Sequence, residues 1–215
     1  HVFPAAYGRI AERMGGHVRL YDQHNILFKL PGIPQAINRR DKDWKARLTN
    51  AEHDVLDSAR QGVFYAVFSS HAVSLPTGNA LIPVGILHEA VSKGPSLPRT
   101  DTENPWPHYA WESMEGSIFR DYMTREICAF YYFARGRHLF QLGRPSEGLA
   151  FLELASRVGY DDELIHSELG VFLTDQDLYD AARRELEIAT VYHESMHVVH
   201  NNWGYYYHKV GEFEK

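Results

Sequence analysis

Cysteine is nearly absent from this chain: Cys128 is the single one among 215 residues. An internal disulfide and a cysteine-based zinc site are therefore both excluded. No C-x-x-C-H motif occurs either, so the 13 histidines do not indicate a c-type haem protein. The longest apolar run, from Ile127 to Ala134, is well below the roughly 20 residues that cross a bilayer. The sequence predicts no membrane-spanning segment.

Runs of lysine and arginine are also lacking, and the formal net charge is −6. Nucleic-acid binding requires a basic face that neutralises phosphates, so nucleic acid is not the expected partner. No P-loop, G-x-G-x-x-G or nucleophile elbow is present. A hydrophobic content of 44% and a charged content of 23% are ordinary for a globular protein, so we expect a folded chain.

The first residues lack an uninterrupted apolar stretch, because Arg9, Glu12 and Arg13 interrupt them. The N-terminus is therefore not an intact signal peptide. Since the chain starts on His1 rather than on methionine, we expect it to be processed, trimmed or truncated.

What the chain does contain is an internal repeat in its second half. Gly136, Gly170 and Gly204 follow one another at equal intervals, which we call the repeat period. Three positions after each glycine comes an apolar or aromatic residue: Leu139, Leu173 and Tyr207. A second set follows the first two glycines at matching distances: Gly148, Leu152 and Ala155, then Ala182, Leu186 and Ala189. Small residues on either side of a leucine allow two helices to approach closely.

This pattern resembles the tetratricopeptide repeat, a helix-turn-helix unit with the signature W-x-x-L-G-x-x-Y and a length equal to the repeat period found here. Leu169-Gly170 and Trp203-Gly204 stand at the L-G pair of the family, and Tyr207 stands at its tyrosine. The resemblance covers residues 129 to 215, and the third repeat is incomplete. The sequence departs from the family where Tyr160 and Glu194 replace the closing proline, and where Gly148 replaces an alanine.

Turn chemistry supports this register and predicts five helices. Gly143 and Pro145 lie where one helix ends and the next begins, and Asp161 and Asp162 precede another helix as N-cap residues. The predicted helices span residues 115–142, 146–158, 163–174, 178–191 and 196–210.

His193, Glu194 and His197 form the spacing H-E-x-x-H, which on a continuous helix binds zinc beside a general-base glutamate. In the repeat register the motif instead falls in a turn, where Ser195 is a plausible N-cap residue. His197 and His200 share a helix face, although such pairs are more often packing or surface residues. We therefore expect no metal and no cofactor, and we keep a zinc peptidase only as a second alternative.

The first half of the chain does not show the repeat period. Residues 43–62 form an amphipathic helix that Gly62 ends, and 63–70 and 80–91 are strand-like, the latter interrupted by Pro83 and Gly85. Residues 17–22 and 25–30 are candidates for two further strands. Four prolines lie in the connection, where Trp106, Tyr109 and Trp111 are expected to pack on a domain. The sequence thus predicts an α+β protein: a small α/β domain over 1–92, a connection over 93–114 and tetratricopeptide-like helices over 115–215.

A second, local similarity lies in GVFYAVFSSHAVSLPTGNALIPVGILHEAV, residues 62–91. It resembles a segment in extracytoplasmic regions of bacterial membrane glycosyltransferases of the protein O-mannosyltransferase type. The resemblance implies a soluble portion of a larger membrane protein, on the extracytoplasmic side of a bacterial membrane. It brings no catalytic motif with it.

The predicted function is binding rather than catalysis. By resemblance to the tetratricopeptide family, the first helices of the repeats line a concave partner-binding face for a protein or peptide, formed by Phe130, Phe133, Arg137, Phe140, Leu164, Val171, Asn201, Tyr205 and His208. The chain's own N-terminal half is an alternative occupant. A helical face around Val199, Trp203 and Tyr206 lacks its partner helix, so we expect another molecule to cover it, in a homo- or hetero-oligomer. The alternative function is that of a glycosyltransferase accessory region.

Overall fold

The computed structural model of the chain describes residues 21, 30, 32–33, 42–59, 63–65, 78–85, 87–92, 106, 121–192 and 197–212. The chain divides into two compact units. The first unit contains His1–Tyr65, Ser74–Leu81 and Glu89–Gly94, and the second contains Ala66–Val73, Ile82–His88 and Pro95–Lys215. The domain boundaries proposed from the sequence remain predictions.

The first described helix, α1 (Trp44–Ser58), precedes a small antiparallel sheet of β1 (Val63–Tyr65), β2 (Asn79–Val84) and β3 (Leu87–Ser92) in the order β1-β3-β2. The helix ends at Ser58 rather than at Gly62, because Ala59 already has an extended backbone. The Tyr65 hydroxyl donates a 2.7 Å hydrogen bond to Glu52 and so fastens β1 to α1. The strands predicted at 17–22 and 25–30 lie outside the described residues, apart from Tyr21 and Leu30.

Residues 80–91 are two strands of a hairpin rather than one interrupted strand. Gly85 has a φ of 62°, a left-handed backbone that favours glycine and lets the chain reverse between β2 and β3. Pro83 stays within β2, which is an edge strand of the sheet. An edge strand tolerates proline because one side of it makes no ladder hydrogen bonds.

Five helices follow in the second half: α2 (Tyr122–Gln141), α3 (Pro145–Val158), α4 (Glu163–Asp175), α5 (Tyr179–Tyr192) and α6 (His197–Val210). Four of them match the prediction to within a single position at each end. The start of α2 at 122 corrects the predicted start at 115, because Asp121 is extended and its carboxylate accepts a 2.8 Å hydrogen bond from the Thr124 amide. That arrangement is an N-cap and fixes where the helix begins.

The helices pack in chain order as hairpins. Helix α2 packs on α3 and α4 packs on α5, while α4 also contacts α2, α3 and α6. The core consists mostly of residues from these helices, among them Tyr132, Phe133, Leu139, Ile165, Leu169, Leu186 and Val199. The six helices and one small sheet of the described part are compatible with the predicted α+β class. None of these helices combines the length and apolar character needed to cross a bilayer.

The turn after the first helix of each hairpin recurs with the repeat period of the sequence. Gly143, Asp177 and Gly211 are separated by that period, and all three have a positive φ, of 73°, 58° and 80°. Each also donates its amide hydrogen to the carbonyl of the third residue before it. The same turn therefore follows α2, α4 and α6.

Trp106 is the described residue of the predicted connection, and it belongs to the second unit and packs within it. Its ring is buried and lies 5.5 Å from that of Phe151 and 6.4 Å from that of Tyr132, between centroids. The Arg135 guanidinium lies 5.9 Å from the Trp106 ring centroid. Tyr109 and Trp111 lie outside the described residues.

Candidate functional site

A cluster of three phenylalanines and one arginine lies where α2 packs on α4. Phe172 makes edge-to-face contacts with Phe133 and Phe140, at centroid distances of 6.2 and 5.2 Å. The Arg137 guanidinium lies 5.3 Å from the Phe133 ring and 5.8 Å from the Phe172 ring. Arg137 is nevertheless exposed. These rings hold its charge in place by cation–π attraction while the guanidinium hydrogens remain accessible to a ligand.

Arg137 belongs to a row of equivalent positions on neighbouring helices. Val171 and Tyr205 follow it at one and two repeat periods, on α4 and α6. We name Arg137, Val171 and Tyr205 the first-helix row. The Tyr205 hydroxyl donates to the Asp175 carboxylate, and Lys209 lies 5.6 Å from the Tyr205 ring. The hydrogen bond to Asp175 and burial raise the pKa of the Tyr205 hydroxyl.

The structure gives the predicted binding-face residues different degrees of access. Phe130 and Phe133 are buried and belong to the core rather than to an open face. The half-buried members are Phe140, Leu164, Val171 and Tyr205, and the exposed members are Arg137, Asn201 and His208. The accessible face is therefore more polar than the sequence suggested, since two of its three phenylalanines are buried.

Part of the chain's own N-terminal half covers one predicted face residue. The ring of His88, from β3, lies 6.2 Å from the Phe130 ring, and both side chains are buried. Burial, followed by the nearby charges of Arg137 and His138, lowers the pKa of His88 to about 4. His88 is thus neutral at physiological pH. Its ring is one of the neighbours of the buried Phe130, while Arg137 remains exposed.

The face predicted to be exposed on the last helix is only partly so. Val199 is fully buried and Tyr206 is nearly so, which corrects the expectation that both await a partner. Tyr206 packs edge-to-face on Tyr179 of α5, at 6.3 Å between centroids. The physical reason is that α6 turns this side toward α4 and α5, so its own chain covers it.

Trp203, the third predicted member, is half-buried and lines an open groove between α5 and α6. The groove has a volume of about 520 Å³, and its other lining residues are Glu187, Thr190 and Val191. The Trp203 indole donates a 2.8 Å hydrogen bond to the Thr190 hydroxyl. That bond fixes the ring, while Val191 beside it is exposed.

The weak metal candidates do not assemble in the described part of the chain. His193 and Glu194 lie outside the described residues, and His197 and His200 are both exposed on α6. Among the residues that the structure describes, no three histidine, cysteine, aspartate or glutamate side chains are placed to hold a metal ion. Cys128 is buried, and burial raises the pKa of its thiol to about 11, as expected for a core residue rather than a nucleophile.

A buried polar pair in the second hairpin was not anticipated from the sequence. The His166 ring is 1% exposed, and its Nδ1 hydrogen is donated to Glu185 at 2.6 Å. The equivalent positions in the first hairpin, one repeat period earlier, are Tyr132 and Phe151, whose rings are 6.2 Å apart. One interhelical contact is therefore aromatic in one hairpin and ionisable in the next.

Sequence reasoning also missed Phe172 and Asp175, which complete the Arg137 cluster and the Tyr205 contact. Leu169, Phe172 and Leu173 follow the i, i+3, i+4 spacing of a single helix face, so their pattern does not reveal that Phe172 contacts Phe133 and Phe140 on α2. No sequence signal connects Asp175 with Tyr205, since their pairing depends on how α4 packs on α6.

Comparisons with protein-family models, with curated proteins and with solved structures give no match for this chain.

Proposed function

We propose that residues 122–212 form a protein-binding module of the tetratricopeptide type, and that it binds a peptide segment of a partner protein along the first-helix row. The observation that carries the proposal is the exposed Arg137 guanidinium, held over the rings of Phe133 and Phe172. A positioned and accessible cation of this kind suits recognition of a carboxylate.

The repetition of the helical hairpins supports the tetratricopeptide part of the proposal. The turn geometry recurs at the repeat period after α2, α4 and α6, and these three helices contact one another in chain order. Successive first helices thus lie side by side. Stacked hairpins of this kind create extended surfaces that suit binding of a peptide segment.

The chemistry of the row indicates which peptide it would take. Arg137 provides a cation, Val171 and Phe140 provide half-buried apolar surface, and Tyr205 with Asp175 provides a polar end. We therefore expect a peptide that carries a carboxylate next to apolar side chains. Its affinity would come from apolar contact, while the carboxylate on Arg137 would fix its register.

The test is a selection of random peptides displayed on phage against the intact chain, followed by fluorescence anisotropy titration of the enriched peptides. Charge reversal in Arg137→Glu is expected to weaken their binding at least tenfold, because a carboxylate would then face a carboxylate. The matched control is Arg184→Glu, which makes the same charge change at an exposed position on α5.

The control variant is expected to bind within about twofold of the original chain, since a distant exposed charge affects affinity only weakly. Urea denaturation of both variants would verify that they fold. The proposal is wrong if no peptide is enriched, or if the enriched peptides bind the Arg137→Glu and Arg184→Glu variants equally well.

A further inference from the structure

Two exposed tyrosines lie where α2 and α4 begin. Tyr122 is the first residue of α2 and is 45% exposed, and Tyr160 stands in the turn before α4 and is 54% exposed. A tyrosine ring offers a partner a broad apolar surface together with a polar hydroxyl, which is why tyrosine is enriched at interfaces. The surroundings of the two rings indicate what kind of group they would bind.

The ring of Tyr160 holds a cation that belongs to the chain itself. The Arg125 guanidinium lies 5.0 Å from the Tyr160 ring centroid and donates a 2.5 Å hydrogen bond to the Asp161 carboxylate. A tyrosine ring and a carboxylate thus bind one guanidinium together. Arginine suits this combination because its flat guanidinium stacks on an aromatic ring while its N–H groups reach a carboxylate.

Carboxylates also surround Tyr122. Burial, followed by the charges of four nearby carboxylates, raises the pKa of the Tyr122 hydroxyl to about 12. These carboxylates belong, in order of decreasing effect, to Asp162, Glu163, Glu126 and Asp161. Arg125 pairs with the last of them, whereas Glu163 is half-buried and so within reach of a ligand. The start of α4 therefore brings negative charge to the Tyr122 ring.

Helix capping explains only part of this negative charge. Asp162 is 1% exposed, and one of its oxygens accepts hydrogen bonds from the Leu164 and Ile165 amides. Its other oxygen is buried and has no hydrogen-bond partner in the described part of the chain. Of the four carboxylates, that of Asp162 affects the Tyr122 hydroxyl most, so it lies toward that tyrosine. A buried carboxylate oxygen without a donor indicates a missing partner.

We propose that Tyr122, Asp162 and Glu163, which we name the Tyr122 corner, bind an arginine side chain of a partner protein. The guanidinium stacks on the Tyr122 ring and donates hydrogen bonds to the Glu163 carboxylate, while the charge of Asp162 adds attraction. Arg125 defines this occupant, because the same types of side chain hold its guanidinium. Since Tyr122 and Arg137 lie about 22 Å apart along α2, the inference goes beyond the proposed carboxylate site.

The probe is a fluorescein-labelled peptide of Gly-Ser-Arg repeats, whose binding to the intact chain is followed by fluorescence anisotropy. Salt at about 0.15 M limits long-range attraction between the basic peptide and the acidic chain, because the Debye length is then about 8 Å. The matched peptide carries citrulline at every arginine, which keeps the shape and removes the charge. We expect saturable binding of the arginine peptide and at least about tenfold weaker binding of the citrulline peptide.

Two variants of the protein, each with a matched control, locate the binding. Glu163→Gln is expected to weaken binding about tenfold, because it removes a charge-assisted hydrogen bond. Glu153→Gln makes the same charge change at an exposed position on α3 and should stay within about twofold. Tyr122→Ala is expected to weaken binding about three- to fivefold through loss of the cation–π contact. Tyr192→Ala removes a tyrosine that is 47% exposed and should leave binding unchanged.

Asp162→Asn separates the charge of this residue from its capping role. Asparagine keeps an oxygen that can cap α4 but replaces the unpartnered oxygen by a donor. We expect about threefold or more weaker binding of the arginine peptide, because attraction to the guanidinium is lost. A residue that serves only as a helix cap would not change the affinity. The Arg137→Glu variant should bind the arginine peptide within about twofold, since the distant charge is screened.

Three outcomes would overturn the inference. The first is the absence of saturable binding at protein concentrations up to about 1 mM, which is too weak for a specific site. The second is equal affinity for the arginine and citrulline peptides, a comparison that uses the original chain and requires no variant to fold. The third is an equal loss of affinity in Glu163→Gln and Glu153→Gln, which would mean attraction to the net charge alone. Urea denaturation verifies that each variant is folded.

Discussion

Leu186 packs so closely on Gly170 that a β-carbon on that glycine would lie 2.6 Å from the leucine Cδ2 atom. Leu152 has the same relation to Gly136 one hairpin earlier. The repeat period of the sequence is therefore a period of interhelical packing. Each hairpin is closed by a leucine against a glycine.

Substitution of glycine by alanine should have opposite effects on stability at Gly170 and at Gly204, two glycines that recur with the repeat period. Gly170→Ala is expected to destabilise the protein by about 1–3 kcal/mol, because the new methyl group overlaps a fully buried leucine. Gly204→Ala is expected to stabilise it by about 0.5–1 kcal/mol, because the site is open and alanine favours a helix. Urea denaturation of both variants measures these free energies.

Both changes replace glycine by alanine within a helix, so helix propensity favours alanine in each. The difference between the two changes in the free energy of unfolding therefore measures how closely each glycine is packed. A destabilised Gly204→Ala variant would show that the site is covered. That result would contradict this prediction.

The second half of the fold could be predicted from the sequence because its signals are local. Glycine, proline and aspartate mark the turns, and the repeat period fixes which helices pair. The predicted start of α2 is too early, because the apolar pattern extends upstream of Asp121, whose extended backbone fixes where the helix begins. The β2–β3 reversal resembles an interruption of one strand in the sequence, because Gly85, which makes the turn, stands two positions after Pro83, which stays within β2.

The candidate surfaces were less predictable, because they depend on how each helix is rotated. Phe133 and Val199 satisfy the repeat pattern equally well on an exposed or a buried side of their helices, and the structure buries both. The contact of His88 with Phe130 joins residues that are far apart in the chain, on a strand and a helix. No local pattern in the sequence encodes such a pairing.

Removal of either partner of the His166–Glu185 pair alone should lower the free energy of unfolding. Glu185→Ala is expected to cost about 1–3 kcal/mol, because it leaves the His166 Nδ1 hydrogen buried without an acceptor. The double substitution His166→Tyr with Glu185→Phe copies the first hairpin and should recover most of that loss. The matching single variants His166→Tyr and Glu185→Phe complete a double-mutant cycle with the double variant, measured by chemical denaturation.

A coupling free energy near zero would mean that the two side chains act independently in the folded protein. A double variant less stable than both single variants would show that the second hairpin cannot accommodate the aromatic pair of the first.

Asp162 should stabilise the folded protein through the oxygen that caps α4 rather than through its charge. One carboxylate oxygen accepts hydrogen bonds from the Leu164 and Ile165 amides, at 3.0 and 3.3 Å, while burial raises the pKa of the group. Asp162→Asn retains a capping oxygen without the buried charge and should stay within about 0.5 kcal/mol of the original stability. Asp162→Ala should lose about 1–2 kcal/mol. Equal losses in thermal or urea unfolding would show that the charge is essential.

His88 should make the protein less stable in mild acid. Its pKa is about 4 in the folded protein and 6.5 in the unfolded chain, chiefly because burial disfavours the charged form. As the pH falls through 6.5, His88 takes up a proton in the unfolded state, whereas in the folded state it stays neutral until about pH 4. Stability is therefore lost as pH falls across this window, by about 3 kcal/mol in total, and none is lost above it.

The substitution His88→Gln isolates this contribution, because glutamine is neutral throughout the window. Urea unfolding at about pH 7.5, 5.5 and 4.5 should show a shallower loss of stability in the variant than in the original chain. The nearby charges of Arg137 and His138 act in the same direction as burial and are retained in the variant. Parallel losses in the two proteins would mean that His88 takes up its proton in the folded state, and that its contact with Phe130 opens at a higher pH than its burial implies.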